Sequence, residues 1–290
     1  MVFAVSIGVY EVERANEIYD NWSWPRDAGR MMVDTLVHYR LDEISLFLDL
    51  DGTLAPFTDL PEEVGPDIER NVLIRNLALR LGGRLAVVSG RPIADIDRIL
   101  EGVVPAVAGS HGLQRRDARL DMIVAPVHSG VAQARQEIAA FVRKYPELHV
   151  EEKPLSVALH YRSEPTLEPV VEVFAEDLAR RTGLKLQRGV MVVEFLTPGM
   201  DKGRAIRAFM VEPPFAGTVP LFVGDDLTDE DGFRVVRSFG GRGVLVGGLR
   251  ETWADYRLGN VDAVHHWLEG GLKNELLELE TAIEPSYRRI

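Results

Sequence analysis

The sequence has no cysteine among its 290 residues, which excludes disulfide bonds and thiolate metal sites. Long apolar runs are also missing, so no segment predicts a membrane span. The apolar stretch over residues 1–10 is short, carries no basic residue and runs into Glu11 and Glu13. This is not the pattern of a signal peptide, and we expect a cytoplasmic protein with no membrane as partner.

Basic residues are outnumbered by acidic ones. The chain has 33 lysines and arginines against 45 aspartates and glutamates, which gives a formal net charge of −12. No basic run is present, so neither nucleic acid nor an anionic membrane surface is expected as the main partner. An anionic substrate would need a metal ion or local basic residues to offset the negative field of the protein.

Strand and helix patterns alternate over much of the chain. Apolar runs predict strands over 84–89 and 106–109, and helical spacing predicts helices over 67–81 and 93–100. Such alternation is typical of an α/β fold with a Rossmann-like core, in which helices cover both faces of a parallel sheet. A length of 290 residues makes two domains a reasonable expectation.

A second pattern interrupts this alternation, because helix, strand and strand follow one another twice. The predicted helices and strands of this part cover 127–145, 149–153, 155–162, 166–182, 185–188 and 190–195, with a hairpin turn at Gly189. We expect an inserted α+β cap domain with an antiparallel sheet and two helices. The expected domains are an N-terminal extension over 1–44, a core over 45–115 and 197–290, and a cap over 116–196. Two further amphipathic helices are expected, over 30–40 and 272–283.

The stretch over residues 46–56 carries the strongest local signal. A buried-strand pattern ends there in Asp49 and Asp51, followed by Gly52. On an extended chain the two carboxylates point the same way, whereas a turn at Gly52 swings Asp51 round. Like charges held this close favour a divalent cation between them. An ordinary acidic turn after a strand would have the same sequence.

Three more polar segments lie at predicted element ends. One apolar run ends at Ser89, another ends in the acidic cluster over 225–231, and Lys202 opens a helix after Asp201. Each has an ordinary explanation as a helix cap or as acids favoured by the helix dipole. Because ligands of open α/β sheets bind outside the carboxyl ends of the strands, the segments are expected to converge on one crevice.

Together these segments resemble the four motifs of the haloacid dehalogenase (HAD) superfamily of phosphotransferases. The motifs are Asp49-Leu50-Asp51-Gly52-Thr53, Ser89, Lys202 and Gly224-Asp225-Asp226-Leu227-Thr228-Asp229. Within that superfamily the chain resembles the trehalose-6-phosphate phosphatases, from about residue 46 to about residue 268. The segments that carry this finer likeness are 88–91, 108–113, 151–154, 160–162, 193–194 and 224–231.

The resemblance implies a role for each core residue, and the chemistry of the side chains agrees with it. Asp49 is the expected nucleophile, which forms an aspartyl-phosphate that water then hydrolyses. Asp51 is expected to protonate the leaving sugar oxygen and later to deprotonate the water. Ser89 with nearby backbone amides is expected to bind the phosphoryl oxygens, and Lys202 to neutralise the charge that develops there.

Mg²⁺ is the expected cofactor, because it prefers a few carboxylates together with phosphate oxygens and water. The expected protein ligands are Asp49, the backbone carbonyl of Asp51 and Asp225. Asp229 completes the metal site by holding a metal-bound water. Asp226 could share either role.

Substrate choice is expected to lie on the cap, since a sugar needs several hydrogen-bond partners. Charged residues on a sheet face are also often merely solvated. The resemblance favours Glu151, Lys153 and Glu194 as contacts of a disaccharide. The other expected substrate-binding residues are Arg91, Ser110, His111, Gly112, His160, Arg162 and Arg188.

The resemblance therefore implies a Mg²⁺-dependent phosphatase that converts trehalose 6-phosphate into trehalose and phosphate. Its expected partner is this small-molecule sugar phosphate; a protein partner such as a trehalose-phosphate synthase is left open. One alternative is a related phosphatase acting on sucrose phosphate or mannosylglycerate phosphate. Another is a retired, regulatory sugar-phosphate-binding protein, which ranks last because every expected catalytic residue is present.

Overall fold

The computed structural model of the protein describes residues 37–58, 61–189, 191–280 and 282–289. The helices of this part of the chain are α1 (Ile68–Arg80), α2 (Ile93–Leu100), α3 (Gly130–Val142), α4 (Glu168–Thr182), α5 (Lys202–Met210), α6 (Glu230–Ser238) and α7 (Val261–Asn274). The strands are β1 (Val37–Arg40), β2 (Ile44–Leu48), β3 (Leu85–Val88), β4 (Ala106–Gly109), β5 (Gln114–Arg116), β6 (Met122–Val124), β7 (His149–Glu152), β8 (Ser156–His160), β9 (Lys185–Gly189), β10 (Val192–Leu196), β11 (Val219–Gly224), β12 (Arg242–Val246), β13 (Tyr256–Leu258) and β14 (Leu276–Leu279).

The largest sheet has eight strands in the order β13-β12-β11-β2-β3-β4-β5-β6. Its strands from β13 to β4 are parallel, and β5 and β6 are added antiparallel at one edge. β2, β3 and β11 are adjacent, so the residues that follow them emerge side by side at one edge. The topology thus brings the predicted motif residues into one neighbourhood.

Both faces of this sheet are covered at its central strands β2, β3, β4 and β11, which explains why these strands are mainly apolar. Every residue of β2 is buried. Leu46 and Leu48 belong to a core that includes residues of α1, α2 and α7. Phe47, on the other face, packs against Phe209 and Phe215, with ring centroids 6.1 and 5.4 Å away. This arrangement agrees with the predicted α/β core.

A second sheet has four antiparallel strands in the order β7-β8-β10-β9. Residues of α3 and α4, among them Ile138 and Leu178, pack with Val157 and Phe195 on one face of it. The other face carries Glu194, which lies opposite Ala158 in the neighbouring strand. The predicted antiparallel sheet with two helices is confirmed.

The two linkers between these sheets are tied to each other. The backbone N–H of His128 donates to the hydroxyl of Thr197 over 3.2 Å, and that hydroxyl donates to the carbonyl of Leu155. β6, which ends at Val124, pairs with the eight-stranded sheet although it follows the expected cap boundary at residue 116. The domain limits stay a prediction; the sheet pairing places β6 with the core strands.

The helix predicted over 272–283 is wrong. Helix α7 ends at Asn274, Glu275 adopts φ 61°, and the chain continues as strand β14. Leu277 and Leu279 are buried while Glu278 is exposed, so the burial has the period of a strand. Leucine content favoured a helix, but pairing with another strand overrides such local propensity.

That partner strand is β1, and it corrects the end of the other predicted helix, over 30–40, at residues 37–40. Residues 37–40 form β1, which pairs antiparallel with β14 from Val37 opposite Leu279 to Arg40 opposite Leu276. Residues 30–36 lie outside the described part of the chain. Within the described residues, the errors at 37–40 and at 276–279 therefore arise from one unrecognised long-range strand pair. No helix in the described residues is long and apolar enough to cross a membrane.

Candidate active site

Three buried or partly buried carboxylates and one lysine meet at the carboxyl edge of the large sheet. Asp49 and Asp225 follow the adjacent strands β2 and β11, and Asp229 ends a short turn before α6. One carboxylate oxygen of each lies within 4.8 Å of one oxygen of the others. Lys202 Nζ, at the start of α5, lies 2.9 Å from Asp49 Oδ2 and 2.7 Å from Asp229 Oδ1. One ammonium group thus faces three acids.

Besides its contact with Lys202, Asp229 fixes the loop that follows β11. Its Oδ2 accepts the backbone N–H groups of Asp225 and Asp226 over 3.0 and 2.9 Å. A side chain at position 224 would collide with Asp229, so Gly224 allows this close approach. Asp226 forms a reciprocal capping box with Asp229, which gives Asp226 a structural role at the turn.

The surroundings of the Asp225 carboxylate are those expected of a cation ligand. Its Oδ1 is buried and has no hydrogen-bond partner among the described residues. Burial, followed by the charge of Asp229, raises the pKa of Asp225 to about 7. Burial also raises the pKa of Asp49, with Asp229 and Asp225 adding to it and Lys202 opposing it. A buried, unpartnered carboxylate oxygen among further acids fits Mg²⁺, which takes oxygen ligands.

Asp51 lies outside this three-acid cluster, because the chain turns at Gly52. The φ of Gly52 is 73°, and a side chain there would lie 2.3 Å from Asp225 Oδ2. The Asp51 carboxylate accepts two hydrogen bonds from Arg91, from Nε over 2.7 Å and from Nη2 over 2.8 Å. Arg91, predicted to bind substrate, therefore holds the predicted general acid in a bidentate ion pair.

The loop after β4 lies against the start of α5 in a strained conformation. Ser110, His111 and Gly112 have φ values of 50°, 55° and 91°, so three successive residues are left-handed. For residues other than glycine this costs on the order of 1–3 kcal/mol each, and such strain concentrates at functional sites. The Ser110 hydroxyl is buried without a partner among the described residues. The backbone of Ser89 is tied to the same region, because its N–H donates to the carbonyl of Ala108 in β4 and its carbonyl accepts the N–H of His111.

From this loop His111 reaches Glu194 on the open face of the cap sheet. His111 Nε2 lies 3.6 Å from Glu194 Oε2, and Lys153 Nζ lies 3.3 Å from Oε1. The hydroxyl of Ser156 also donates to Glu194. Burial alone raises the pKa of Glu194, but the His111 hydrogen bond and the Lys153 charge outweigh it and lower that pKa to about 2. Glu194 is thus a buried, ionised and fully partnered acid.

Glu151 lies on the same face. It is opposite Ala158, as Glu194 is, and its Oε2 lies 3.1 Å from His160 Nε2 and 3.7 Å from Lys153 Nζ. Burial opposes ionisation, yet the His160 hydrogen bond and the Lys153 charge lower the pKa of Glu151 below its ordinary value. Four predicted cap residues, Glu151, Lys153, His160 and Glu194, therefore form one charged group.

Arg188 does not belong to this group. It lies opposite Val193, on the helix-covered face, and its guanidinium bonds to Glu172 and Glu176 of α4, each over 2.9 Å. Arg162 lies two residues beyond the end of β8 and is exposed. The predicted place of Arg188 in a substrate site is therefore corrected, because strand residues one position apart face opposite sides.

Two residues near these groups were not predicted from the sequence. Gln187 lies opposite Glu194 in β9 and shares its face. Strand alternation within the predicted hairpin was the signal that could have selected Gln187 over Arg188. Arg250 contacts the loop after β11, and no pattern in the sequence points to it.

Solved structures place this architecture in a known class. The C-terminal domain of the C. albicans trehalose-6-phosphate phosphatase matches with a TM-score of 0.71 at 20% identity, covering 80% of this chain and 92% of that chain. A HAD-superfamily phosphatase from Bacteroides thetaiotaomicron matches with a TM-score of 0.54 at 16% identity, over 80% and 94% of the two chains. At these identities the likeness shows the fold, and the fold is that of HAD hydrolases.

Sequence relatives narrow the class to a family. A family model described as trehalose-phosphatase matches residues 47–258. The chain is 40% identical to the trehalose-6-phosphate phosphatase of Escherichia coli (strain K12) over 230 residues, 77% of this chain and 84% of that protein. It is 27% identical to trehalose-phosphate phosphatase B of Arabidopsis thaliana over 281 residues, 90% and 75% of the two chains. The chain belongs to the trehalose-phosphatase family.

Proposed function

We propose that the protein hydrolyses trehalose 6-phosphate to trehalose and phosphate. The observation that carries this proposal is the buried Asp49 beside Lys202 at the carboxyl edge of the sheet, together with a charged cap face that contacts the loop after β4 through Glu194 and His111. The family of the chain supports the same substrate. The phosphoryl group of the substrate would bind beside Asp49, and its sugar would contact the charged face of the cap.

Asp49 is the proposed nucleophile. Lys202 lies 2.9 Å from Asp49 Oδ2, where its charge stabilises the ionised carboxylate that attack on phosphorus requires. Attack would form the Asp49–phosphorus bond as the bond from phosphorus to the sugar oxygen breaks. Hydrolysis of this acyl phosphate by water regenerates Asp49. Ser89 and the buried Ser110 hydroxyl are the proposed donors to the phosphoryl oxygens.

Asp49, Asp225 and the Asp51 carbonyl are the proposed protein ligands of Mg²⁺, with Asp229 behind them. The unpartnered Asp225 oxygen supports this assignment. When bound, the ion would neutralise charge on the carboxylates and on the transferring phosphoryl group. Asp229 has both oxygens engaged by Lys202 and by backbone amides, which favours an indirect role for it.

Asp51 is the proposed acid and base. The bidentate contact with Arg91 holds the Asp51 carboxylate in a fixed orientation. Asp51 would donate a proton to the leaving sugar oxygen in the first step and accept one from water in the second. The dianionic phosphate of the substrate offers Arg91 an alternative partner.

The cap group supplies the proposed sugar contacts. Glu194 and Glu151 are ionised acceptors suited to sugar hydroxyls, and Lys153 between them is a donor. His160 orients Glu151, and His111 brings a core donor to the same place. Gln187 shares the Glu194 face and joins the proposed contacts.

We also propose a cytoplasmic protein that takes this small sugar phosphate as its partner, without nucleic acid or membrane. The acidic composition supports this, since the net charge is −12 and no basic run occurs.

The test is phosphate release from a panel of trehalose 6-phosphate, sucrose 6-phosphate and glucose 6-phosphate, with Mg²⁺ and with EDTA. We expect strong preference for trehalose 6-phosphate and loss of release with EDTA. A preference for another sugar phosphate would retain the chemistry and reject the substrate. Absence of release from every member would reject the enzyme and favour the binding-only alternative.

A further inference from the structure

The loop after strand β12 reaches back over the loop that follows β11. Arg250 in this loop donates from Nη2 to the backbone carbonyl of Asp226 over 2.8 Å and to that of Asp225 over 3.3 Å. Its Nη1 donates to Glu230 Oε1, at the first residue of α6. Because β12 neighbours β11 in the sheet, the two loops lie side by side.

Glu230 anchors this arginine. Its side chain is only 8% exposed, and both of its oxygens are engaged. Oε1 accepts the hydroxyl of Thr252 over 2.8 Å, and Oε2 accepts the backbone N–H of Trp253 over 2.7 Å. A buried carboxylate needs such partners and a counter-ion, and Arg250 is that counter-ion.

The backbone at Asp225 and Asp226 is consequently held on two sides. Asp229 accepts both N–H groups, and Arg250 donates to both carbonyls. Four main-chain polar groups in two residues are thus fixed by two side chains. This fixed backbone carries the Asp225 side chain, whose Oδ1 is buried and has no partner among the described residues.

We propose that Arg250, anchored by Glu230, is a positioning residue that aims the Asp225 carboxylate at the metal site. This inference rests on the proposed function, in which Asp225 binds Mg²⁺. A planar guanidinium can bond to two carbonyls and a carboxylate at once, whereas the single ammonium of lysine cannot reproduce that fork. Groups that orient metal ligands typically contribute about 10–100-fold to metal affinity when removed.

The test compares Arg250→Gln, Arg250→Lys and Glu230→Gln in the full chain. Arg234→Gln is the matched control, because Arg234 lies on α6 and is 61% exposed in an ion pair with Asp231. Mg²⁺ affinity is measured by titration calorimetry and Mn²⁺ affinity by electron paramagnetic resonance. The Tm of each variant is recorded in EDTA, since a brace that only stabilises the fold would change Tm alone.

We expect Arg250→Gln to weaken binding of both ions by about 10-fold or more. Arg250→Lys and Glu230→Gln should weaken it less, and Arg234→Gln should stay within about twofold of the parent chain. Parent-like affinity in Arg250→Gln and Glu230→Gln, even with a lower Tm, would overturn the positioning role while leaving the proposed function intact. Failure of the parent chain to bind either ion would instead overturn the metal-dependent function on which the inference rests.

Discussion

Asp225 in the core is a partly buried acid and Glu194 on the cap is a buried one, and their surroundings shift their pKa values in opposite directions. Glu194 is contacted by His111, Lys153 and Ser156, and its pKa falls to about 2. Asp225 keeps one buried oxygen without a partner among the described residues, and its pKa rises to about 7. Glu194, which its partners keep ionised, can accept hydrogen bonds from sugar hydroxyls, whereas Asp225, with an unpartnered oxygen, is suited to binding a cation.

Removing the nucleophile should give the largest effect. Asp49→Asn should lower kcat for trehalose 6-phosphate by about 10³-fold or more, because no other carboxylate replaces the attacking oxygen. The fold should survive, since the change removes one of three crowded charges. Phosphate release and thermal unfolding, measured on the same preparation, check both points. Residual activity near the parent level would disprove the mechanism.

The core side of the comparison is tested by Asp225→Asn. Loss of the unpartnered carboxylate should weaken Mg²⁺ binding by about 10–100-fold, as measured by calorimetry. In EDTA at pH 8, Asp225 is ionised and partly buried, and because its pKa is raised from 3.8 to about 7 in the fold, its charge destabilises the folded state. The Tm of the variant should then exceed that of the parent by about 2–4 °C for each kcal/mol by which the substitution raises the free energy of unfolding. A lower Tm in EDTA would show that the carboxylate is satisfied within the protein.

The cap side is tested by Lys153→Ala, with Arg188→Ala as the matched control. Lys153 lies between Glu151 and Glu194, so its loss should raise KM for trehalose 6-phosphate by about 10-fold. KM for a small aryl phosphate should change little, because that substrate lacks the sugar. Arg188→Ala removes a cation from the opposite face and should alter neither KM. Equal losses on both substrates would remove Lys153 from a specificity role.

The smallest effect concerns stability at low pH. The folded-state pKa of Glu194, about 2, lies below its ordinary value of 4.5, so its contribution is present above pH 4.5 and is lost as pH falls towards 2. Glu194→Gln should flatten that part of the curve of unfolding free energy against pH. Urea unfolding between pH 2 and 7 measures it. An unchanged slope would contradict the shifted pKa.

The sequence predicted that Asp49, Asp225, Asp229 and Lys202 lie close together, because these residues lie at strand ends or at a helix start. Asp49 and Asp225 directly follow apolar runs, and the parallel sheet brings such ends together. The sequence could not predict the ion pair between Arg91 and Asp51, because the direction of the Asp51 carboxylate depends on the turn at Gly52. The role of Arg250 could not be predicted either. Its guanidinium bonds to backbone carbonyls, which every residue type carries, so no sequence motif marks the contact.

On the cap and at the chain ends, errors came from register and long-range pairing. Arg188 and Gln187 are neighbours in sequence, and only the register of β9 against β10 decides which one shares the Glu194 face. Strand β14 looked helical because its partner β1 lies more than two hundred residues earlier. Periodicity within a short window carries no information about such a partner.

The tie between His128, Thr197 and Leu155 has a consequence for how such enzymes diversify. Because this contact joins the two linkers, the chain enters and leaves the four-stranded sheet and its helices, the predicted cap insertion, at adjacent points. An insertion of this kind can be exchanged or remodelled while the strand ends that carry Asp49 and Asp225 stay in place. New substrates could then arise by grafting a different recognition module onto unchanged phosphoryl-transfer chemistry.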